Sequence, residues 1–182
     1  MLAHLEKHGH SNVAVAVNVS PLEFLSYSPA EIFQAAADEY SIDPKRLEIE
    51  ITEEALLDIK MAEKGLKAIE AAGFKLAVDD FGMGHSSLTH MIGINIHCLK
   101  IDRNFVTNIT ENTHNQALVS TLVNLARIMD VAIVVEGVES IQDAETLQIL
   151  GCRVGQGYFI SRPLSMADAK TWIDIKHERT AA

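Results

Sequence analysis

Strand-like and helical stretches alternate along this chain almost from end to end, and that alternation restricts the fold more than any other feature. A helical stretch over residues 2–8 precedes a β-branched run at 13–19 and a helical stretch at about 21–40. Residues 47–51 read as a strand and 53–72 as a helix; 74–78 read as a strand, then come a glycine-containing loop and a short helix near 86–92. Strands follow at 96–101, 131–135 and 153–156, separated by helices at 112–129 and 140–150 and followed by a last helix at 165–175. In the 112–129 helix, Leu118, Leu122, Leu125 and Met129 recur on one face. Strands that alternate with helices imply a parallel sheet, because parallel neighbours need a crossover. The runs 13–19 and 131–135 are apolar almost throughout, as expected of strands covered on both faces. Six strands suit an open doubly wound sheet. A closed eight-fold β/α barrel needs two more and typically ~250 residues, against 182 here.

The C-terminal ends of these strands carry the chemistry. Asn18 ends the first, Glu50 the second and Asp79-Asp80 the third; Lys100 is in the fourth, Glu136 closes the fifth and Gln156 the sixth. Parallel strands place these ends on one rim, where barrels carry their active sites. A single acid at such a place is ordinarily a helix cap or a solvated rim group. Capping does not account for four carboxylates and a lysine in register, and burying them together without a cation is costly. Carboxylates with an amide oxygen form an oxygen-rich cage suited to Mg²⁺ or Mn²⁺ rather than zinc. The Asp79-Asp80 pair could serve two ions ~3.5–4 Å apart, the usual device for phosphoester hydrolysis. The excess of 25 acids over 15 lysines and arginines agrees with such a cage. It argues against binding of polymeric nucleic acid, which needs a basic surface.

Several motifs, in order, then become recognisable. They are Asn18-Val19-Ser20, Glu50-Ile51-Thr52-Glu53, Asp79-Asp80-Phe81-Gly82 with Gly84 and Ser86-Ser87-Leu88, and Leu99-Lys100-Ile101-Asp102. Glu136-Gly137-Val138-Glu139, Gln156-Gly157-Tyr158 and Arg162-Pro163 complete the series. With these residues the chain resembles the EAL domain of bacterial cyclic di-GMP phosphodiesterases across essentially its whole length. The resemblance implies a TIM-type (β/α)₈ barrel, incomplete here at about six β/α units, forming a single partial domain over residues 1–182. It implies two Mg²⁺ or Mn²⁺ ions, with Asn18, Glu50 and Asp79 as ligands of the first, Asp79 bridging to a second with Asp80, and Glu136 acting directly or through water. Lys100 corresponds to the lysine that contacts the attacking water, orienting it or, with a depressed pKa, deprotonating it. Gln156 helps hold that water, and Glu53 anchors the loop that begins at Asp80. Arg162, Pro163 and Glu139 fall among the substrate-binding positions. The implied reaction converts cyclic di-GMP to linear pGpG.

The match also departs from the family pattern. The Glu-Ala-Leu tripeptide that names the family is expected on an early strand, before Met1. Glu54-Ala55-Leu56 repeats its letters at the start of a helix and is read as a decoy. The absent signature and the strand count agree: the two missing strands are the N-terminal pair. Met83 and His85 stand where the family loop usually has Thr and Tyr, and His97 replaces a common Asp; these differences bear on loop seating and dimer contacts. Two open sheet edges predict poor stability alone or association with a second copy, and the family's tendency to dimerise predicts a homodimer. A sensory or GGDEF-type domain is expected upstream.

Two other functions compete with hydrolysis. A catalytically impaired domain could act as a cyclic di-GMP receptor or interaction module, and an unrelated barrel enzyme could use Lys100 as a Schiff-base amine. Cys98 and Cys152 lie in apolar contexts and read as reduced core residues. No apolar run is long enough to span a membrane and the first residues lack a signal-peptide pattern, so a cytoplasmic location is expected.

Overall fold

The computed structural model describes residues 1–56, 59–83, 91 and 93–180. The helix expected over 86–92 falls, except for Met91, outside the described residues, as do Gly84 and Ser86-Ser87-Leu88. Among the described residues there are six strands: β1 (Val15–Asn18), β2 (Leu47–Thr52), β3 (Lys75–Phe81), β4 (Cys98–Ile101), β5 (Ala132–Val135) and β6 (Val154–Gly155). They lie side by side in sequence order, every neighbouring pair parallel. Sequence order without reversal is the topology of a barrel wall, not of a doubly wound sheet, which switches direction at an inner strand. Among the described residues β1 and β6 do not meet, so the sheet is a half-barrel with two open edges.

The register sorts the strand residues into two faces. Glu50 lies beside Asn18 and Ala77, Ala77 beside Cys98, and Lys100 beside Val134. This polar or small set forms the inner face. The other set includes Ile49, Ile51, Leu76, Val78 and Leu99; it is buried in one core with Leu66 and Ile69 of α4 (Ile59–Ala71) and with Ala126. The strands are therefore not covered alike on both faces. Ala16 and Ala132 are exposed on the inner side, so the pattern expected from the apolar runs 13–19 and 131–135 is corrected to burial on the helix side alone. A second core lies beside the first, with Ile101, Ile109, Val119, Val123, Val135 and Leu147 at its centre.

Local chemistry sets the element ends. The helix expected at 21–40 divides into α2 (Glu23–Ser26) and α3 (Pro29–Tyr40), with α1 (Leu2–Lys7) ahead of them. Proline has no N–H and is at home in a first turn, so Pro29 starts a new helix, and Ser28 Oγ accepts from the Glu31 N–H. The stretch expected at 53–72 likewise begins with a separate 3-10 turn, Glu53–Leu56. In α5 (Thr113–Met129) the buried stripe is Val119, Val123 and Ala126; Leu122, Leu125 and Met129 flank it, half-buried. The apolar face is thus rotated from the leucine row. Ser140 and Asp143 form a reciprocal capping box at the start of α6 (Ile141–Ile149).

The chain termini are tied together. Arg46, nearly buried, donates to the carbonyls of Val13 (3.0 Å) and His10 (2.8 Å) and pairs with Glu6, which fixes the N-terminal segment against the start of β2. His10 Nε2 lies 2.6 Å from Asp174 Oδ1 on α7 (Met166–Thr180), so the last helix reaches back to the first segment. An apolar hollow of about 460 Å³ beside β1 is lined by Val15, Phe33, Tyr40 and Leu47. Another of about 440 Å³ beside β6 is lined by Val135, Leu147, Val154 and Phe159. Among the described residues no helix is long and apolar enough to cross a membrane.

Candidate active site

At the C-terminal rim four consecutive strands bring their polar residues together around one lysine. Lys100 Nζ lies 2.9 Å from Glu50 Oε1, 3.0 Å from Asp79 Oδ1 and 2.8 Å from Glu136 Oε1. The ammonium has three N–H donors, and three carboxylates stand at hydrogen-bond distance from it. Its side chain is 6% exposed, and those of the acids 8%, 15% and 19%. Burial pushes the lysine pKa down, but the hydrogen bonds to Glu136, Glu50 and Asp79 outweigh it, and the net shift is upward. So placed, Lys100 is a charged donor. The depressed pKa that a water-deprotonating lysine requires is not found here.

Three carboxylates against one ammonium leave the site electronegative, and further acids add to it. Asp80 lies in β3 where its register with β4 shifts, in the left-handed region (φ 54°), and its N–H donates to Asp79 Oδ1 at 3.1 Å. Its carboxyl pKa is raised, first by burial and then by Asp79 and by Asp102, with which it is hydrogen-bonded. Asp79, Asp80 and Glu136 each offer an oxygen, all within 4.8 Å of one another. An all-oxygen set with this excess of negative charge fits a hard divalent cation such as Mg²⁺ or Mn²⁺. Asn18 stands at the edge of the cluster, in register with Glu50 and exposed.

The surrounding residues support this centre. Gln156 Nε2 donates to Glu136 Oε1 at 2.6 Å, so Glu136 is held by both the amide and the lysine. Glu53, 3% exposed, accepts from the Gly82 N–H at 2.8 Å and thereby ties the turn after β2 to the loop after β3. By contrast, Glu54 is exposed in the same 3-10 turn, away from the cluster. The loops after β5 and β6 meet backbone to backbone, the Val138 N–H donating to the Gln156 carbonyl at 3.1 Å. At Gly157 a Cβ would fall 2.2 Å from the Val138 carbonyl oxygen; at Gly137 (φ 75°) it would fall 2.5 Å from Arg103 Cβ. Gly157 permits the close approach of these two loops, and Gly137 lets the loop after β5 pass against Arg103, after β4.

That approach shapes a groove of about 380 Å³ running from Glu136 and Gln156 past Glu139 to Tyr158, Arg162 and Pro163. The Arg162 guanidinium lies 4.7 Å from the Tyr158 ring centre, a cation–π distance. Glu139, Arg162 and Pro163 thus line a groove beside the lysine cluster and are not members of it. Sequence reasoning missed a role for Asp102. It is nearly buried, accepts from the Asn104 N–H at 2.8 Å and is hydrogen-bonded to Asp80. The signal was present: Asp102 is two residues beyond Lys100, the period of one strand face. The substituted His97 lies away from the rim, its Nδ1 accepting from the Leu76 N–H at 3.3 Å. Met83 Sδ accepts from Asn104 Nδ2 at 3.7 Å. His85 is outside the described residues.

Known proteins are similar to this chain in sequence and in fold. The bifunctional diguanylate cyclase/cyclic di-GMP phosphodiesterase MucR of Pseudomonas aeruginosa is 35% identical over 157 residues, which are 86% of this chain and 23% of MucR. The chain thus spans less than a quarter of that relative's length. The structure of the PaMucR phosphodiesterase in complex with c-di-GMP superposes with a TM-score of 0.85 at 32% identity, covering 92% of this chain and 68% of that one. Klebsiella pneumoniae BlrP1 in its manganese and cyclic di-GMP complex gives 0.81 at 29% identity, over 89% of this chain and 42% of that one. The family model described as the EAL domain matches residues 1–163. That match takes in each rim strand and the groove as far as Pro163, and by it the chain belongs to the EAL domain family.

Proposed function

We propose that this chain carries the hydrolytic site of a cyclic di-GMP phosphodiesterase, which opens one phosphodiester of the cyclic dinucleotide to leave linear pGpG. The observation that carries this reading is the convergence of Glu50, Asp79, Lys100 and Glu136 from four successive strands onto one point. Asn18, Glu50 and Asp79 would hold one Mg²⁺ or Mn²⁺, and Asp79 with Asp80 a second, Glu136 contributing directly or through water. When bound, such cations neutralise a scissile phosphate and acidify water. Lys100 orients the attacking water and offers its N–H donors to the phosphate. Gln156 helps hold that water, and Glu53 keeps the Gly82 loop in place. The water oxygen forms the new bond to phosphorus as the opposite ester bond breaks and the leaving sugar oxygen takes up a proton in exchange for the one the water loses, so the product keeps one phosphodiester and gains one terminal phosphate and one free hydroxyl. The groove past Glu139 receives the guanine end of the substrate, with Arg162 and Pro163 at its far wall.

The test is incubation of the purified chain with cyclic di-GMP and MnCl₂, with pGpG followed by chromatography. Product is expected, and Asp79→Asn should lower its rate by about 100-fold, as loss of a metal-site group does. A chain that binds cyclic di-GMP tightly and forms no pGpG would favour the receptor reading. One observation supports that alternative: Asn18 is exposed on an edge strand, which leaves one side of the site open. Association with a second copy belongs to the same proposal, as does an upstream GGDEF-type or sensory domain of the kind the bifunctional MucR suggests.

A further inference from the structure

Lys100 already makes the contacts that a cation at this site would make. Its Nζ lies 2.8–3.0 Å from one oxygen each of Glu50, Asp79 and Glu136, and each of those residues is also in the proposed ligand set. A magnesium-sized ion takes carboxylate oxygens at about 2.0–2.1 Å. It cannot bind those three oxygens while the ammonium stands between them, and two positive centres so close repel. The side chain is 6% exposed and spans from the middle of β4, so bulk water does little to screen that repulsion.

From this geometry we propose that Lys100 is an internal competitor of the divalent cation. It holds the three carboxylates together when no cation is bound, and it must release at least one of them for a cation to enter. The proposal rests on the metal-dependent reading above and adds a regulation of the same site: cation affinity is set by a lysine as well as by the ligands. A lysine that only positioned ligands would strengthen cation binding. A competing lysine weakens it, and the two roles predict opposite signs.

The experiment is calorimetric titration of MnCl₂ into the full chain, its Lys100→Met variant and its Lys100→Arg variant, without substrate. Lys100→Met is expected to bind Mn²⁺ tighter than wild type by about tenfold or more. Lys100→Arg keeps the charge and is expected to stay within about threefold of wild type. Equal or weaker binding by Lys100→Met, or tightening in both variants, overturns the competition and leaves the metal-dependent reading standing. No Mn²⁺ binding by any of the three proteins overturns that reading together with the inference. Should Lys100→Met fail to fold, the wild-type chain supplies the second measurement. With ¹⁵N-labelled lysine, the Lys100 Nζ signal is expected to move as MgCl₂ saturates the site. A signal unchanged at saturation overturns the proposal.

Discussion

The centre of the sheet and its two edges are built from the same kind of strand and have different fates. β2, β3 and β4 are paired on both sides, and their helix-facing residues Ile51, Val78 and Leu99 are at most 1% exposed. There the rim can hold charges with little exposure, because the strands beside and beneath them exclude water. β6 is two residues long and paired on one side, and Val154 is 55% exposed between two open hollows. β1 alternates between half-buried and exposed and carries Asn18, a proposed ligand that stands in solvent. Enclosure, more than residue type, distinguishes a buried ion cluster from a solvated rim.

The largest expected effect tests this enclosure directly. Lys100→Met leaves three enclosed carboxylates without their counter-ion and should cost about 3–5 kcal/mol in the absence of divalent cations. That corresponds to a fall of roughly 10 °C in the melting temperature measured in EDTA. The lysine pKa is raised, so its contribution is complete below its ordinary value of 10.5 and is lost only as pH rises through the higher folded value. Ile51→Ala, at the same depth on the helix side, should cost about 3 kcal/mol by urea denaturation. Val154→Ala at the edge should cost no more than about 0.5 kcal/mol. Should Val154→Ala destabilise as much as Ile51→Ala, edge and centre are packed alike and the contrast fails.

Smaller effects sharpen the comparison. Glu53→Ala removes the acceptor of the Gly82 N–H and should cost about 1–3 kcal/mol, read from the same denaturation curves. Asp80 responds to pH. Its carboxyl pKa is raised above 3.8, first by burial and then by its acidic neighbours, so the folded chain holds this proton more tightly than the unfolded one. Stability at this group therefore falls as pH rises through the interval between 3.8 and the raised value. In EDTA, Asp80→Asn should gain on wild type over that interval, and thermal melts at stepped pH will show whether the two curves diverge. Val154→Lys should leave the melting temperature within about 2 °C of wild type. It should also reduce any concentration-dependent association seen by sedimentation, because a lysine on an open edge opposes strand pairing.

Much of the architecture was legible in the residues. The alternation of strand-like and helical stretches located the six strands, and the polar residues closing them pointed to Asn18, Glu50, Asp79, Lys100 and Glu136. Boundaries and faces were less legible. Pro29 with Ser28 divided a helix that hydropathy alone made continuous. The leucine row of α5 packs half-buried against the core, and the fully buried stripe beside it is made of the smaller Val119, Val123 and Ala126. Strand length misled as well. Runs as apolar as 13–19 and 131–135 suggest cover on both faces, but Ala16 and Ala132 are exposed on the inner side.

Local pattern by itself determined the number of strands, their parallel direction and the residue that closes each, because strand period, crossover helices and caps are properties of neighbouring residues. Only the tertiary structure decided where the charges go. Glu50, Asp79, Lys100 and Glu136 are separated by 20 residues or more in sequence, and their meeting depends on strand register, which no local pattern encodes. The upward shift of the lysine's pKa, the Asp80–Asp102 hydrogen bond and the groove between Gly137 and Gly157 have the same origin. Each requires two strand ends to be held side by side, and it is the packing of helices against the far face of the sheet that holds them there.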